Sequence, residues 1–154
     1  MKKIFIKYNG SLCPLNQKNK ISARNGRAIL YNSAEYNNAK KEIQLKIKTH
    51  VQAQLNKIGG ILSKSDGPLF VDLVIFWKNT ADIDAFDKLI LDALSGIAYV
   101  DDRQIKKKLT EINENQGQSG FLMTIETMGK RNIWTFINNT WKTIAPNNEQ
   151  LPLV

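Results

Sequence analysis

The sequence predicts a single α+β domain in which a small mixed or antiparallel sheet packs against one long and one short helix. Three observations support this prediction. The chain of 154 residues has the length of one ordinary domain. Apolar residues recur at helical spacing over 34–57, and the run 68–77 is rich in β-branched and aromatic residues. Because no repeat or linker divides the chain, we interpret it as one domain. The predicted elements cover residues 1–128, and residues 129–154 are a C-terminal tail without an assigned structure.

The first half of the chain predicts a strand, a long polar loop and the long helix. Residues 3–8 alternate in a way that favours a strand. The polar segment 9–32 has no clear periodicity and is interpreted as a loop, with room for a short strand at 28–31. Ser33 is a suitable N-cap for the helix 34–57 that follows it.

The second half adds a buried strand, a short helix and two more strands, at 68–77, 85–95, 104–113 and 120–128, respectively. We expect the last two strands to form an antiparallel pair through the turn at 115–119. The tail from Lys130 fits either a helix or a hairpin.

Composition excludes several classes of protein. Hydrophobic residues make up 42% and charged residues 23% of the chain, which is typical of a soluble globular protein and excludes wholesale disorder. Cys13 is the one cysteine and His50 the one histidine, so a disulfide framework and a Cys/His zinc site are excluded. The N-terminal apolar run is too short for a secretory signal, and no stretch approaches the ~18 apolar residues of a membrane helix. We therefore expect a cytoplasmic protein without a membrane partner.

Charge is distributed unevenly along the sequence. The net charge is +8, yet the segment 82–102 holds six of the 14 acidic residues and only one basic residue, Lys88. A basic body indicates a polyanionic partner such as nucleic acid, because Lys and Arg neutralise phosphates. The acidic segment would repel that partner unless a divalent cation covers it and binds phosphate oxygens directly.

Asp82 and Asp84 come directly after the buried strand. In an extended chain residues i and i+2 point to the same side, which would place both carboxylates together. Lys88 follows four residues after Asp84 and would lean back toward them. The pair Asp101-Asp102 opens the next strand, and one of its acids would return a third carboxylate to the same edge. Mg²⁺ relieves the repulsion within such a group.

Structural explanations exist for the same acids. Asp84 would serve as the N-cap of the short helix, with Asp87 in its first turn, where acids are favourable. Asp101 and Asp102 would be ordinary turn residues. Neither explanation accounts for Asp82 beside Asp84 together with Lys88.

The stretch 82–105 resembles the signature of RusA-type Holliday-junction resolvases. That signature combines Asp-x-Asp, a lysine four residues after the second Asp, an Asp-Ala-Leu segment, and then Asp-Asp-x-Gln. All four parts are present here in that order. One position departs from the pattern: the family has Asn where this chain has Ala85, which offers no amide to DNA or to a neighbouring carboxylate.

The resemblance implies a small homodimeric endodeoxyribonuclease, commonly carried by phages or prophages, that resolves four-way DNA junctions in recombination and repair. It implies Mg²⁺ as the cofactor, with Mn²⁺ as a substitute, and no small-molecule cofactor. Carried over by position, Asp82, Asp84 and Asp102 are the metal ligands and Lys88 is the catalytic lysine. Two alternatives stay open: a basic DNA-binding module without catalysis, and a related nuclease that acts on other branched DNA.

Further residues are candidates for supporting roles. We expect four basic side chains to contact phosphates: Arg24, Arg27, Lys106 and Lys108. Asp92 lies one helical turn after Lys88 and is expected to steady that lysine rather than to bind metal. For the dimer interface we favour the helix 34–57 over the tail that carries Trp134 and Trp141.

Overall fold

The computed structural model describes residues 1–17 and 19–128. Its strands and helices are, in chain order, β1 (Lys3–Asn9), β2 (Asn19–Arg24), β3 (Arg27–Asn32), α1 (Ala34–Ile58), β4 (Leu69–Phe76), α2 (Asp87–Leu94), β5 (Ile105–Asn113) and β6 (Gly120–Thr127). The α+β fold with one long and one short helix is thus confirmed. The two predictions for the tail from Lys130 lie outside the described residues, so the domain boundary at 128 stays a prediction.

Strand β4 occupies the interior of a mixed four-stranded sheet with the order β1-β6-β4-β5. It pairs in parallel with β5 and antiparallel with β6. Four of its side chains are fully buried in the core: Leu69, Val71, Leu73 and Ile75. An apolar strand gains most from the interior of a sheet, where neighbours cover both of its edges.

The prediction that the last two strands form an antiparallel pair is wrong. The parallel neighbour of β4 is β5, while β6 lies on the other side of β4, so that Phe76 is the register partner of both Asn113 and Gly120. The connection 114–119 therefore crosses the end of β4 instead of closing a hairpin. Its turn residues carry no information on whether a third strand lies between the two that they join. Three successive lysines, 106–108, suit β5 to the sheet edge, where charge opposes aggregation.

The expectation of a long loop over 9–32 is also wrong for most of that segment. Strands β2 and β3 form an antiparallel hairpin, and the predicted short strand at 28–31 is part of it. Asn25 and Gly26 have φ values of 52° and 72° at its tip. Positive φ at both central residues is the geometry of a type I′ turn, for which Asn-Gly is the favoured pair. That dipeptide was the available signal, but β2 holds only two apolar residues, Ile21 and Ala23, and the apolar run 28–31 of β3 does not alternate.

Helix α1 confirms the predicted helix to within one residue. The Ser33 hydroxyl accepts a hydrogen bond from the backbone N–H of Tyr36 at 3.2 Å, as an N-cap does. The helix packs against β1 and α2 with one apolar face, which consists of Tyr36, Ala39, Ile43, Ile47, Val51 and Leu55. The core lies between this face and the sheet. Within the described residues, no helix is long and apolar enough to cross a membrane.

Candidate active site

Asp82 and Asp84 lie in the connection that follows β4, and both line one open cleft together with Trp77, Asn79 and Glu114. The backbone there is not extended. The N–H of Ala85 donates to the Asp82 carbonyl at 3.0 Å and that of Asp87 to the Asp84 carbonyl at 3.3 Å, so the chain turns. The predicted alternation therefore fails, but the turn still brings both carboxylates to the same cleft, where both residues are exposed.

Helix capping does not explain Asp84. The helix α2 begins at Asp87, two residues later than predicted, and its N-cap position is held by Phe86 without a side-chain cap. Asp87 does occupy the first turn of the helix, as the structural explanation required. Asp84 is thus left without the cap role that its position in the sequence suggested.

The two acids of the Asp101-Asp102 pair differ in their surroundings. Asp101 is a turn residue: its carboxylate accepts from the N–H of Arg103 at 2.9 Å, and its own N–H donates to Gln104 Oε1 at 3.1 Å. Hydrogen bonds from the Arg103 side chain and backbone lower the pKa of Asp101 to about 2. Asp102 instead places its Oδ2 atom 4.0 Å from Lys88 Nζ, so it faces α2.

The Lys88 ammonium lies close to two acids that are ten positions apart in the sequence, Asp92 and Asp102. Its Nζ atom lies 2.7 Å from Asp92 Oδ1 and 4.0 Å from Asp102 Oδ2. The hydrogen bond with Asp92, and to a smaller extent the charge of Asp102, raise the pKa of Lys88. The expected contact of Asp92 with Lys88 is present, and the fold brings Lys88 and Asp102 into proximity.

A second lysine enters the acidic region from the neighbouring strand. Lys108 on β5 forms an ion pair with Asp87, which is 9% exposed. The other carboxylate oxygen of Asp87, Oδ1, is buried without a hydrogen-bond partner. Burial lowers the pKa of Lys108 more than the nearby charge of Asp84 raises it. No local sequence pattern predicts this pair, because 21 positions separate its members.

The carboxylates of the acidic segment meet some, but not all, of the requirements for binding a hard divalent cation. In the ranges 1–17 and 19–128, no three His, Cys, Asp or Glu side chains are grouped so that they could hold a metal ion together. Asp82 and Asp84 share the cleft, whereas Asp102 lies beside Lys88. Mg²⁺ is commonly bound through one or two carboxylates, with water and phosphate oxygens in its other positions. Two carboxylates on one open cleft fit that requirement.

The predicted phosphate contacts fall on two elements. Arg24 and Arg27 are register partners next to the Asn-Gly turn of the β2–β3 hairpin. Lys106 is exposed at an irregularity in the pairing between β4 and the start of β5. Lys108, by contrast, is engaged by Asp87. The structure thus places a basic hairpin tip and a basic strand on the same domain as the acidic cleft.

A comparison with protein families identifies the family of this chain. The family model described as Endodeoxyribonuclease RusA matches residues 12–121, which include the cleft and both lysines. The chain belongs to the RusA endodeoxyribonuclease family. No curated protein matches it.

Family membership establishes the reaction. This RusA-family protein is an endodeoxyribonuclease that resolves Holliday junctions in recombination and repair, and enzymes of its family are metal-dependent and act on branched DNA. Ala85, where the family signature has Asn, lies at the cleft beside Asp84. Its methyl group donates no hydrogen bond, so the polar contacts at this wall of the cleft come from its neighbours.

The Asp87–Lys108 pair generates a prediction about stability. Lys108→Met should lower the free energy of unfolding by about 1–3 kcal/mol, because the Asp87 carboxylate would stay buried without its partner. The loss is smaller than for a fully buried ion pair, because Lys108 is partly exposed to solvent. Urea unfolding of the protein measures the change. The control is Lys106→Met on the same strand, which should stay within about 0.5 kcal/mol of wild type. Equal effects of the two substitutions would contradict the assignment.

Proposed function

We propose that this Holliday-junction endonuclease cuts DNA at the cleft lined by Asp82 and Asp84, with Mg²⁺ as its metal and Mn²⁺ as a substitute. The observation that supports the location is the pair of exposed carboxylates on one cleft, in a chain whose charge is otherwise basic. Asp102, which lies beside Lys88, is proposed as the third metal ligand. When bound, Mg²⁺ lowers the pKa of a coordinated water and offsets negative charge on the scissile phosphate.

The protein's own side chains position the DNA and the water at the cleft. Asp82 and Asp84 hold negative charge where the phosphodiester must approach, so DNA binds there productively only when that charge is balanced. Lys88 has three N–H donors, and Asp92 uses one of them. The remaining donors can orient a water molecule or stabilise charge on a phosphate oxygen in the transition state.

We propose that Arg24, Arg27 and Lys106 anchor phosphates away from the cleft. The first two stand beside the hairpin turn, and Lys106 stands at the start of β5. Such contacts fix the register of DNA without reading its sequence. A phosphate contact by Lys108 stays a prediction and would require its ammonium to serve Asp87 and DNA together.

A two-fold symmetric dimer is the proposed working state. An open four-way junction has approximate two-fold symmetry and needs two matched cuts, while one chain supplies one acidic cleft among its described residues. A C₂ dimer presents two identical sites with the symmetry of the substrate. The proposed interface is helix α1, which exposes 78% of Leu45; the alternative through Trp134 and Trp141 lies outside the described residues.

The proposed compartment is the cytoplasm, since recombining DNA is found there in a bacterial or phage-infected cell. A phage or prophage origin of the chain stays a prediction.

The metal ligands are tested by removing one charge. Asp84→Asn should abolish Mg²⁺-dependent cleavage and leave junction binding equal or tighter, because it removes a ligand and also a negative charge that repels DNA. A nicking assay and a gel-shift assay on the same synthetic junction measure the two effects. Asp72→Asn, which changes an exposed acid within β4, is the matched control and should cut at the wild-type rate. Cleavage by Asp84→Asn at near wild-type rate would show that Asp84 binds no essential metal.

The basic hairpin is tested by salt dependence. Arg24→Ala combined with Arg27→Ala should weaken junction binding and reduce the slope of log K against log salt by up to ~2, roughly one for each phosphate that is no longer neutralised. The matched control removes two exposed charges at and just after the C-terminal end of α1, Lys57→Ala with Lys64→Ala, and should leave the slope unchanged. The reverse pattern would place the DNA at that end of α1 instead of the hairpin.

The dimer is tested by mass and by mixing. Sedimentation equilibrium at micromolar concentration should give a mass near twice 17.5 kDa. Heterodimers of wild-type and Asp84→Asn chains should nick one strand of a junction without resolving it, since only one of their two sites is intact. Leu45→Glu should shift the protein toward monomer if α1 is the interface. A strict monomer that still makes paired cuts would contradict the proposal.

A further inference from the structure

Tyr36 reaches the acidic region from a different helix. It stands in the first turn of α1, is 1% exposed, and donates its hydroxyl hydrogen to Asp92 Oδ2 at 2.8 Å. The other oxygen of the same carboxylate, Oδ1, lies 2.7 Å from Lys88 Nζ. One carboxylate group is therefore held at both oxygens, by a tyrosine at one and by a lysine at the other.

This arrangement fixes the orientation of the Asp92 carboxylate. A carboxylate bound at one oxygen turns easily about its terminal torsion, which has broad minima. A second bond, from a buried hydroxyl on a different helix, removes that freedom. Burial alone would raise the pKa of Asp92, but the hydrogen bonds from Lys88 and Tyr36, together with the charges of Lys88 and Lys40, outweigh burial and lower it. Asp92 thus remains a charged acceptor for the lysine.

The position of the Lys88 ammonium depends on that acceptor. The Lys88 side chain is 47% exposed, and a second carboxylate, Asp102, stands 4.0 Å from its Nζ atom. The Lys88 ammonium is a point charge on a flexible four-carbon stem, so its place is set by the acceptors around it rather than by the stem. With Asp92 free to turn, we expect the ammonium to move toward Asp102 and away from its present place.

We infer that Tyr36 is a positioning residue for Lys88 and acts on it through Asp92. The inference rests on the proposed role of Lys88 in cleavage. It adds to that role a residue of α1 that lies outside the acidic segment 82–102, and it assigns the Tyr36 hydroxyl a purpose beyond filling the core.

The test removes one oxygen atom. Tyr36→Phe keeps the ring in the core and deletes the hydroxyl that donates to Asp92. The single-turnover rate of junction cleavage at saturating protein should fall about tenfold, while the dissociation constant for the junction, measured with EDTA, should change less than twofold. A tyrosine that merely supports the fold would not separate the rate from binding in this way.

The matched control is Tyr99→Phe. Tyr99 is equally buried and donates its hydroxyl to the same helix at the same distance of 2.8 Å, but to the backbone carbonyl of Leu91. The substitution deletes an equivalent hydrogen bond without touching Asp92, so its cleavage rate should equal that of wild type. Equal slowing by both variants would overturn the inference, because it would trace the slower cleavage to a loosened α2.

Lys88→Met separates failure of this inference from failure of the proposed function. We expect Lys88→Met to be strongly impaired and the double variant with Tyr36→Phe to be no slower, because Tyr36 acts through Lys88. A further decrease in the double variant, or a wild-type rate for Tyr36→Phe beside an impaired Lys88→Met, would overturn the inference alone. A wild-type rate for Lys88→Met would overturn the proposed function of Lys88 and the inference with it.

A second variant covers the case in which Tyr36→Phe does not fold. Asp92→Asn offers one oxygen to two donors and replaces the other by an amide that cannot accept a hydrogen bond. It should show the same separation of rate from binding. A wild-type cleavage rate for Asp92→Asn would overturn the inference.

Discussion

The parallel pairing of β4 with β5 is the constraint on which the cleft depends. Parallel neighbours cannot be joined by a tight turn, so the chain must return along the sheet through a crossover connection. Here the crossover is residues 77–104, and it holds the whole acidic segment together with α2. The apolar side chains of α2 anchor this connection to the core. The polar residues of the connection then meet β5 and the turn before it.

Charge compensation between these elements follows from that packing. The crossover helix brings Lys88 beside Asp102, and strand β5 brings Lys108 beside Asp87 and near Asp84. Each lysine thus approaches more than one acid. Carboxylates grouped without such partners would repel one another and resist burial. The lysines stabilise the acidic region, and the exposed pair Asp82 and Asp84 remains available for a cation that arrives with DNA.

Local sequence patterns predicted the elements well and their neighbours poorly. The helix 34–57 and the strand 68–77 were predictable because a single periodicity or composition determines each of them. The partner of β5 was not predictable, since the turn 115–119 looks the same whether it closes a hairpin or passes over β4. The β2–β3 hairpin was missed although Asn25-Gly26 signalled it, because β2 is mostly polar and the apolar run 28–31 of β3 does not alternate.

The candidate site was likewise predictable only where local sequence patterns carry the information. The acids and Lys88 were predicted from their spacing and from the resemblance to RusA-type resolvases, and the family match supports the activity. Their metal-binding roles stay predictions. Asp87 with Lys108, and Tyr36 with Asp92, were invisible in the sequence because each pair joins residues that are far apart along the chain and meet only through tertiary packing.

The most direct measurement of the central claim is cleavage of a synthetic mobile four-way junction by the purified protein. The same strands annealed as a linear duplex serve as the comparison, and each substrate is incubated with Mg²⁺ or with EDTA. The account predicts paired cuts in opposing strands of the junction with Mg²⁺, no cuts with EDTA, and an intact duplex in both. Tight binding of the junction without cleavage in Mg²⁺, or equal cutting of junction and duplex, would contradict it.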